Sequence, residues 1–200
     1  APYARQAGQA RAGFARFVRP EGGLVDVLDS PNDNDARVRP NQIIAVSLTH
    51  SPLDLTTQKG VVTQVAQHLL TSYGLRTLAP SGPGYRPRYQ GGVNERDSGY
   101  HQGPVWAWLL GHYALAEYRV TGDAAQALSR LDPLRDHLQD AGLGSISELF
   151  DGDAPHAPGG APCQAWSVAC TLYAWHRLTC ALDKQKRAAH AGIHSSETTP

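Results

Sequence analysis

The chain has 200 residues, which is enough for one domain with a real core or for part of a larger domain. Its 18 Lys and Arg balance 18 Asp and Glu, so the formal net charge is zero, which argues against nucleic acid or an anionic membrane as a partner. No run of 18 apolar residues occurs, so we expect no membrane span.

The three cysteines, Cys163, Cys170 and Cys180, all lie in the C-terminal part of the chain. None belongs to a CxxC pair, and an odd number of cysteines does not make a disulfide framework. We therefore expect buried, reduced thiols in a cytoplasmic protein.

Helix-forming patterns dominate the first part of the chain, and only one short segment suggests a strand. In chain order we predict a helix over residues 3–18, a strand over 24–29, a polar loop over 30–37, a short helix from Arg39, and an amphipathic helix over 56–72.

The second part of the chain alternates long loops with apolar helices. We predict a Pro- and Gly-containing loop over residues 73–101 with a brief strand at 75–78, and then a helix apolar nearly all round over 102–120. A one-sided helix over 123–141 kinked at Pro133, an acidic loop over 142–162 and an apolar helix over 163–182 are predicted to follow. Residues 183–200 hold almost no apolar side chains, so we predict a solvated, disordered tail there.

This order of helices predicts an all-α architecture. Helices that are apolar on most faces alternate with helices that are apolar on one side, which favours two layers, an inner ring of helices and an outer ring packed over it. The two layers together contain about six helices in this chain. The long loops at one end of the inner ring would then form a pocket. A parallel sheet is not expected, because no strand pattern repeats.

The acidic loop holds the first candidate for chemistry, Glu148. A carboxylate in a Gly- and Ser-rich loop suits glycoside hydrolysis, in which one carboxylate activates water or attacks the sugar and another protonates the leaving oxygen. A solvated or helix-capping glutamate is the alternative. Asp151 and Asp153 could ligate a metal, but the twelfth position of a calcium loop is Pro162, so we expect no metal.

Two apolar helices begin in the same way, with an amide side chain followed by Trp. His101, Gln102 and Trp106 enter one helix, and Gln164 and Trp166 enter the other. An amide can bind sugar hydroxyls and an indole offers a flat apolar face to a pyranose, so these residues are candidate substrate contacts. The alternative is that each Trp belongs to the core.

Two further polar groups could reach the same pocket. Arg39, Asn41 and Gln42 open a third helix, where they could bind hydroxyls or cap the helix. Asp97 is a candidate as well, although an ion pair with Arg96 is the favoured explanation for it. Nucleotide-binding, serine-hydrolase and zinc-protease motifs are all absent from the sequence, so no cofactor is expected.

Four motifs, taken in order, resemble the C-terminal glucosidase domain of glycogen debranching enzymes. They are RPNQ (39–42), YGLRTL (73–78), YHQGPVWAWLLG (100–111), and GSISELFDGD (144–153) with QAWS (164–167). The resemblance covers roughly residues 10–182. The chain departs from the family pattern at Pro104, where a small residue such as Thr is usual, at Ala107, where Pro is common, and in the GAPC link at 160–163.

The resemblance implies an (α/α)6 barrel and amylo-α-1,6-glucosidase activity, in which a glucose stub on a glycogen-like glucan is hydrolysed with inversion. Glu148 matches the general base of that family, whereas its general acid is an aspartate placed N-terminal to anything in this chain. About half of the expected twelve helices are present and no Met occurs. We therefore interpret residues 1–182 as the second half of the barrel.

Two alternatives to the debranching glucosidase remain open at this stage. The chain could belong to a related hydrolase of the trehalase, glucoamylase or invertase type, or it could be a non-catalytic half-barrel that only binds glycans.

We expect low activity from the isolated chain, because an inverting site needs two carboxyl groups. A half-barrel would also expose inner-helix side chains such as Trp106, Leu109 and Trp175 and would tend to aggregate.

Overall fold

A computed structural model describes residues 2–31, 33–141 and 143–196, which form eight α-helices and one small sheet. The helices are α1 (Pro2–Phe14), α2 (Gln42–Ser47), α3 (Leu55–His68), α4 (Val93–Gly99), α5 (Trp108–Thr121), α6 (Ala124–Ser129), α7 (Asp132–His137) and α8 (Ala165–Ser196). A 3₁₀ turn, Ala15–Phe17, follows α1. The mostly helical architecture agrees with the predicted all-α class, although there are eight α-helices in the described residues rather than about six.

Helix α5 lies at the centre of the helical core and contacts α2, α3, α6 and α8. Its apolar side chains Leu109, Leu110 and Tyr113 are almost fully buried. The closest approach occurs at Gly111, whose missing side chain lets the backbone of α8 pack directly against α5. The predicted apolar character of α5 is therefore explained by its central position.

Helix α3 follows its sequence signals closely. Asp54 caps its first turn by accepting a hydrogen bond from the backbone N–H of Thr57 at 2.8 Å. Val61 and Val65 are fully buried on the core side. The helix ends at His68 rather than at residue 72, because the backbone of Leu69 already accepts a hydrogen bond from Arg76.

The sheet has four antiparallel strands of two residues each, in the order β1–β2–β3–β4. They are β1 (Leu75–Arg76), β2 (Val105–Trp106), β3 (Leu149–Phe150) and β4 (Pro158–Gly159). The helix predicted to begin at residue 102 is corrected here. Val105–Trp106 is extended because its backbone pairs with strands on both sides, so α5 begins only at Trp108.

Three further predictions of elements are corrected. Residues 24–29 form only isolated bridges, Val18 to Leu24 and Val27 to Asp35, because the turns around them leave too little extended backbone for a ladder. The loop over 73–101 contains α4. The helix over 123–141 is instead two short helices, because Pro133 lies in the first turn of α7, where proline starts a helix rather than kinking one.

Helix α8 runs to Ser196, whereas the prediction ended it at residue 182. Residues 183–196 are therefore helical rather than disordered, since Ala, Lys and Arg in this segment are strong helix formers. The side-chain amide of Gln185 also donates a hydrogen bond to the carbonyl oxygen of Gly122 at 2.6 Å. The side chains from Asp183 to Ala191 are exposed, as predicted. The last four residues of the predicted tail lie outside the described residues.

The outward faces of α8 differ from the prediction of a buried helix. Trp166, Leu172, Tyr173 and Trp175 are each about half exposed, while Ala174 and Leu178 are buried against α5 and α6. The predicted exposure of Trp175 is confirmed. The predicted exposure of Trp106 and Leu109 is wrong, because strands β1 and β3 and helix α3 cover them, and each is only 3% exposed.

The three cysteines are free. Cys163, in the loop before α8, and Cys180 of α8 are exposed, whereas Cys170 of α8 is half-buried. The prediction of buried thiols is therefore wrong for Cys163 and Cys180, because no neighbouring element among the described residues covers their side chains. In the described part of the chain, no helix combines the length and the hydrophobicity needed to cross a membrane.

Candidate functional site

The small sheet brings the two main candidate residues together. Trp106 pairs with Leu149 across β2 and β3, and Glu148 directly precedes β3. On the other side of β3, Leu149 pairs with Gly159 of β4. The carboxylate of Glu148 is therefore placed between the start of α5 and the turn that leads to α8.

Each oxygen of the Glu148 carboxylate accepts one hydrogen bond from the protein. The hydroxyl of Tyr100 donates to Oε1, and the backbone N–H of Ala161 donates to Oε2 at 2.8 Å. The backbone N–H of Glu148 in turn donates to the carbonyl oxygen of Ala161 at 2.9 Å. Because a carboxylate has about four lone-pair sites, it can still accept a proton or a hydrogen bond from a bound molecule.

A continuous group of rings, which we call the aromatic cluster, contacts this carboxylate through the hydroxyl of Tyr100. It consists of Tyr89, Tyr100, His101, Trp106, Trp108, His112 and Trp166, with neighbouring ring centroids 4.8–5.9 Å apart. Trp106 is buried at its centre, whereas Trp166 stacks on Trp108 and is 48% exposed. Partly exposed indole faces are suited to the C–H faces of sugars.

Arg39 ties the loop after α4 to the sheet. Its guanidinium donates to the carbonyl oxygens of Thr77 and His101, at 3.0 and 2.7 Å, and to Oε1 of Gln102 at 3.1 Å. Asp26 lies 3.7 Å from its Nε. Burial lowers the pKa of Arg39, and burial together with the charge of Arg39 lowers the pKa of His101. His101 is therefore neutral near pH 7.

A second set of bonds ties the loop before α4 to the segment after β3. Arg76 Nε donates to the carbonyl oxygen of Gly152 at 2.7 Å, and the Tyr85 hydroxyl donates to Asp153 at 2.9 Å. Burial and the neighbouring Asp153 raise the pKa of Tyr85 to about 12. Burial also raises the pKa of Asp151. Among the described residues, no group of three or more His, Cys, Asp or Glu side chains could hold a metal ion.

The structure brings some of the candidate residues together and keeps others apart. His101, Trp106 and Trp166 belong to the aromatic cluster around Glu148, and Gln102 joins it through Arg39. The backbone N–H of Gln164 donates to Ile146 at 2.9 Å, close to the loop of Glu148, and its side chain is half-buried.

Three other candidates have partners elsewhere or face solvent. Asn41 donates to Asp26 at 2.8 Å. Gln42 is buried, and it accepts from the N–H of Leu24 and donates to Gln64. Asp97 is exposed, and within the described residues it forms no ion pair with Arg96, whose guanidinium lies over the ring of Tyr89 instead.

Sequence reasoning missed Tyr100, Trp108 and the backbone of Ala161. Tyr100 directly precedes two candidate residues, but its partner Glu148 lies 48 positions away, so no local pattern links them. Trp108 could have been found from the sequence, because it follows Trp106 by two residues at the start of an apolar helix. A backbone N–H such as that of Ala161 leaves no signal in the sequence.

His137 of α7 holds the backbone next to Glu148. Its Nε2 lies 3.1 Å from the hydroxyl of Ser147 and accepts the backbone N–H of Ser147 at 3.3 Å. The ring is buried and packs edge-on against Phe150 of β3. Because Nε2 acts as an acceptor, the neutral form of His137 is the form that the structure contains.

Acidification is therefore expected to destabilise the fold. Burial lowers the pKa of His137 below its ordinary value of about 6.5, and Asp140 opposes this shift. His137 has a lower pKa in the folded chain than in the unfolded chain, so at a pH between these two values the unfolded chain binds more protons. The contribution of neutral His137 to the free energy of unfolding is therefore fully present above about pH 6.5 and is lost as the pH falls toward the pKa of the folded state. Urea unfolding at pH 7.5 and at pH 5 measures the loss. His137→Gln, whose amide oxygen can replace Nε2, should show a smaller difference, and an unchanged difference would contradict the assignment.

The comparison with known protein families places the chain in one family. The family model described as amylo-alpha-1,6-glucosidase matches residues 1–173. The chain belongs to this family. The resemblance read from the four motifs is thereby confirmed, and the match includes Tyr100, Glu148, Ala161 and Trp166.

One curated relative of this amylo-alpha-1,6-glucosidase family member is the glycogen debranching enzyme of Saccharomyces cerevisiae. The two are 28% identical over 169 residues, which is 72% of this chain but 11% of the yeast protein. The chain therefore spans about a tenth of the length of that relative.

Proposed function

We propose that this chain carries the general base of a glycosidase that removes single α-1,6-linked glucose residues from a glycogen-like glucan. The observation that carries the proposal is the Glu148 carboxylate, held by Tyr100 and Ala161 inside an aromatic cluster. Family membership and the yeast debranching enzyme support the choice of reaction and substrate.

In the proposed mechanism Glu148 accepts a proton from a water molecule, and that water attacks the anomeric carbon with inversion. A second carboxyl group protonates the leaving oxygen, and in inverting enzymes it lies about 6.5–9.5 Å from the base. Within the described residues, no carboxylate forms a hydrogen bond with Glu148. The proposed general acid is an aspartate supplied by another part of the enzyme.

The proposed sugar contacts come from the rim of the aromatic cluster. Trp166 offers an exposed indole face, while His101 and Gln102 offer polar groups beside it. Gln164 lies next to Trp166 and is the fourth proposed contact. Arg39 donates hydrogen bonds to the backbone carbonyl of His101 and to the side chain of Gln102, and it is proposed to act by positioning these two residues.

We also propose that residues 1–182 form part of an (α/α)6 toroid in a cytoplasmic enzyme. The exposed apolar side chains of α8, Leu172, Tyr173 and Trp175, support this arrangement, because a surface helix of a complete domain normally buries such a face. Further helices of the toroid would cover them.

A glycan-binding module without activity is the second candidate. It is favoured by the exposed stack of Trp108 and Trp166, which needs no catalytic carboxylate to bind a sugar. The related trehalase, glucoamylase and invertase types share the proposed chemistry and differ only in the substrate.

Hydrolysis assays separate these candidates. A branched limit dextrin, isomaltose, maltotetraose, trehalose and sucrose would each be incubated with the 200-residue chain and with the natural protein that contains this sequence. We expect the natural protein to release β-glucose first from the branched substrates, as seen by NMR of the anomeric proton, and the chain alone to bind them with little hydrolysis. Preferred hydrolysis of trehalose, sucrose or maltotetraose would reassign the substrate. Binding without hydrolysis by either protein would favour the binding module.

A further inference from the structure

We propose that Tyr100 is a positioning residue for Glu148, and that its hydroxyl and the Gly160–Ala161 backbone hold the carboxylate in one orientation. This inference rests on the proposed function of Glu148 as a base. The two residues are 48 positions apart in the chain, and they lie directly after α4 and directly before β3. Their contact is therefore a product of the tertiary fold.

Two donors on different oxygens fix the carboxylate more firmly than one. The Tyr100 hydroxyl holds Oε1 and the Ala161 N–H holds Oε2, so rotation about the last side-chain bond of Glu148 would break both. Hydrogen bonds to a charged acceptor are stronger than neutral ones. One lone pair of each oxygen remains for a water molecule.

Gly160, which directly precedes Ala161, lies against the side chain of Glu148. Its φ of +70° lies in the left-handed region that favours glycine. A Cβ at this position would clash with Oε2 of Glu148 and would lie 3.0 Å from the Cβ of Glu148. The absence of a side chain at Gly160 is therefore required for the carboxylate to reach the N–H of Ala161.

The ring of Tyr100 is itself held in place. It packs edge-on against Trp106 with centroids 4.8 Å apart, and it contacts Tyr89 at 5.1 Å. The indole N–H of Trp106 donates to the backbone carbonyl of Tyr100 at 3.3 Å. The next residue, His101, is fixed through its carbonyl by Arg39. A hydroxyl on such a rigid ring can define the position of its acceptor.

The hydroxyl also remains a donor over the working range of pH. Burial, followed by the hydrogen bond to Glu148, raises the pKa of Tyr100 well above its ordinary value. The phenol is therefore protonated, and able to donate, at neutral pH.

Tyr100→Phe tests the proposal, because it removes only the hydroxyl and keeps the ring. Tyr89→Phe is the matched control, since Tyr89 belongs to the same cluster and its hydroxyl does not bind Glu148. The first measurement is the rate at which a carbodiimide couples glycine ethyl ester to Glu148 in the 200-residue chain, followed by peptide mass spectrometry. We expect a rise of roughly tenfold in Tyr100→Phe, the effect of losing one hydrogen bond to a charged group, and no change in Tyr89→Phe.

The second measurement is the kinetics of the natural protein on a branched limit dextrin. Tyr100→Phe should lower kcat about tenfold with little change in KM, because it misplaces the base without removing a sugar contact. Gly160→Ala should raise the rate of labelling of Glu148 in the same way. If Tyr100→Phe does not fold, Gly160→Ala still tests whether the carboxylate is held in one orientation. Unchanged labelling in the folded variants would overturn the positioning role. Faster labelling in a natural protein that hydrolyses no glucan would retain the positioning role and reject the proposed function.

Discussion

Exchange of Glu148 for Gln is expected to slow glucose release from a branched limit dextrin by about 10²–10⁴-fold in the natural protein that contains this sequence. This is the usual contribution of a positioned general base. Gln keeps the shape of the side chain and one acceptor oxygen, but an amide cannot take a proton from water. We expect KM to change little, because the proposed sugar contacts are Trp166, His101 and Gln102 rather than the carboxylate.

The measurement is steady-state release of glucose at several substrate concentrations. Glu21→Gln is the control, because Glu21 is an exposed partner of Arg19 with no contact to the aromatic cluster. The thermal midpoint of each variant shows whether the fold is retained. Activity of Glu148→Gln within about threefold of the unchanged protein would remove Glu148 from the proposed mechanism, since a general base contributes at least about 10²-fold.

Replacement of Gly111 by Val is expected to give the largest loss of stability. A Cβ at position 111 would lie 2.5 Å from the carbonyl oxygen of Cys170 and 3.3 Å from the Cβ of Ala174. Both belong to α8, and a helix backbone cannot move aside as the end of a flexible side chain can. The two helices would have to separate along their most extensive contact, which we expect to cost about 3 kcal/mol or more.

Urea unfolding followed by circular dichroism measures this loss. Gly8→Ala in α1 is the matched control, because no atom lies within 4 Å of the added Cβ there. That variant should be about 0.5–1 kcal/mol more stable, as is usual when Ala replaces Gly inside a helix. A Gly111→Val protein as stable as the unchanged chain would contradict the close packing of α5 and α8.

The success of sequence reasoning depended on the range of the interactions involved. Helices α1, α3, α5 and the first part of α8 were predicted because the periodicity of apolar side chains and caps such as Asp54 act within a few residues. The strands were mostly missed because each has only two residues. Val105–Trp106 is extended only because β1 and β3 pair with it from distant parts of the chain.

The candidate site shows the same division. Glu148, His101, Trp106 and Trp166 were recognised by residue type and motif, and the structure places them in one cluster. Asn41 and Gln42 were selected by the same reasoning, yet they bind Asp26 and Gln64 instead. A polar residue at the start of a helix has the same sequence signal whether its side chain faces a site or the protein interior.

The sequence by itself determined the family, the helical class and the candidate carboxylate, because these follow from residue type, local periodicity and the order of motifs. Only the tertiary structure decided which groups hold that carboxylate. Tyr100, 48 residues away in the chain, donates its hydroxyl to the carboxylate, and Ala161 donates its backbone N–H. Gly160 leaves room for the carboxylate because it has no side chain. A long-range contact, a backbone donor and a required empty space each depend on how distant segments pack, and none of them leaves a pattern along the chain.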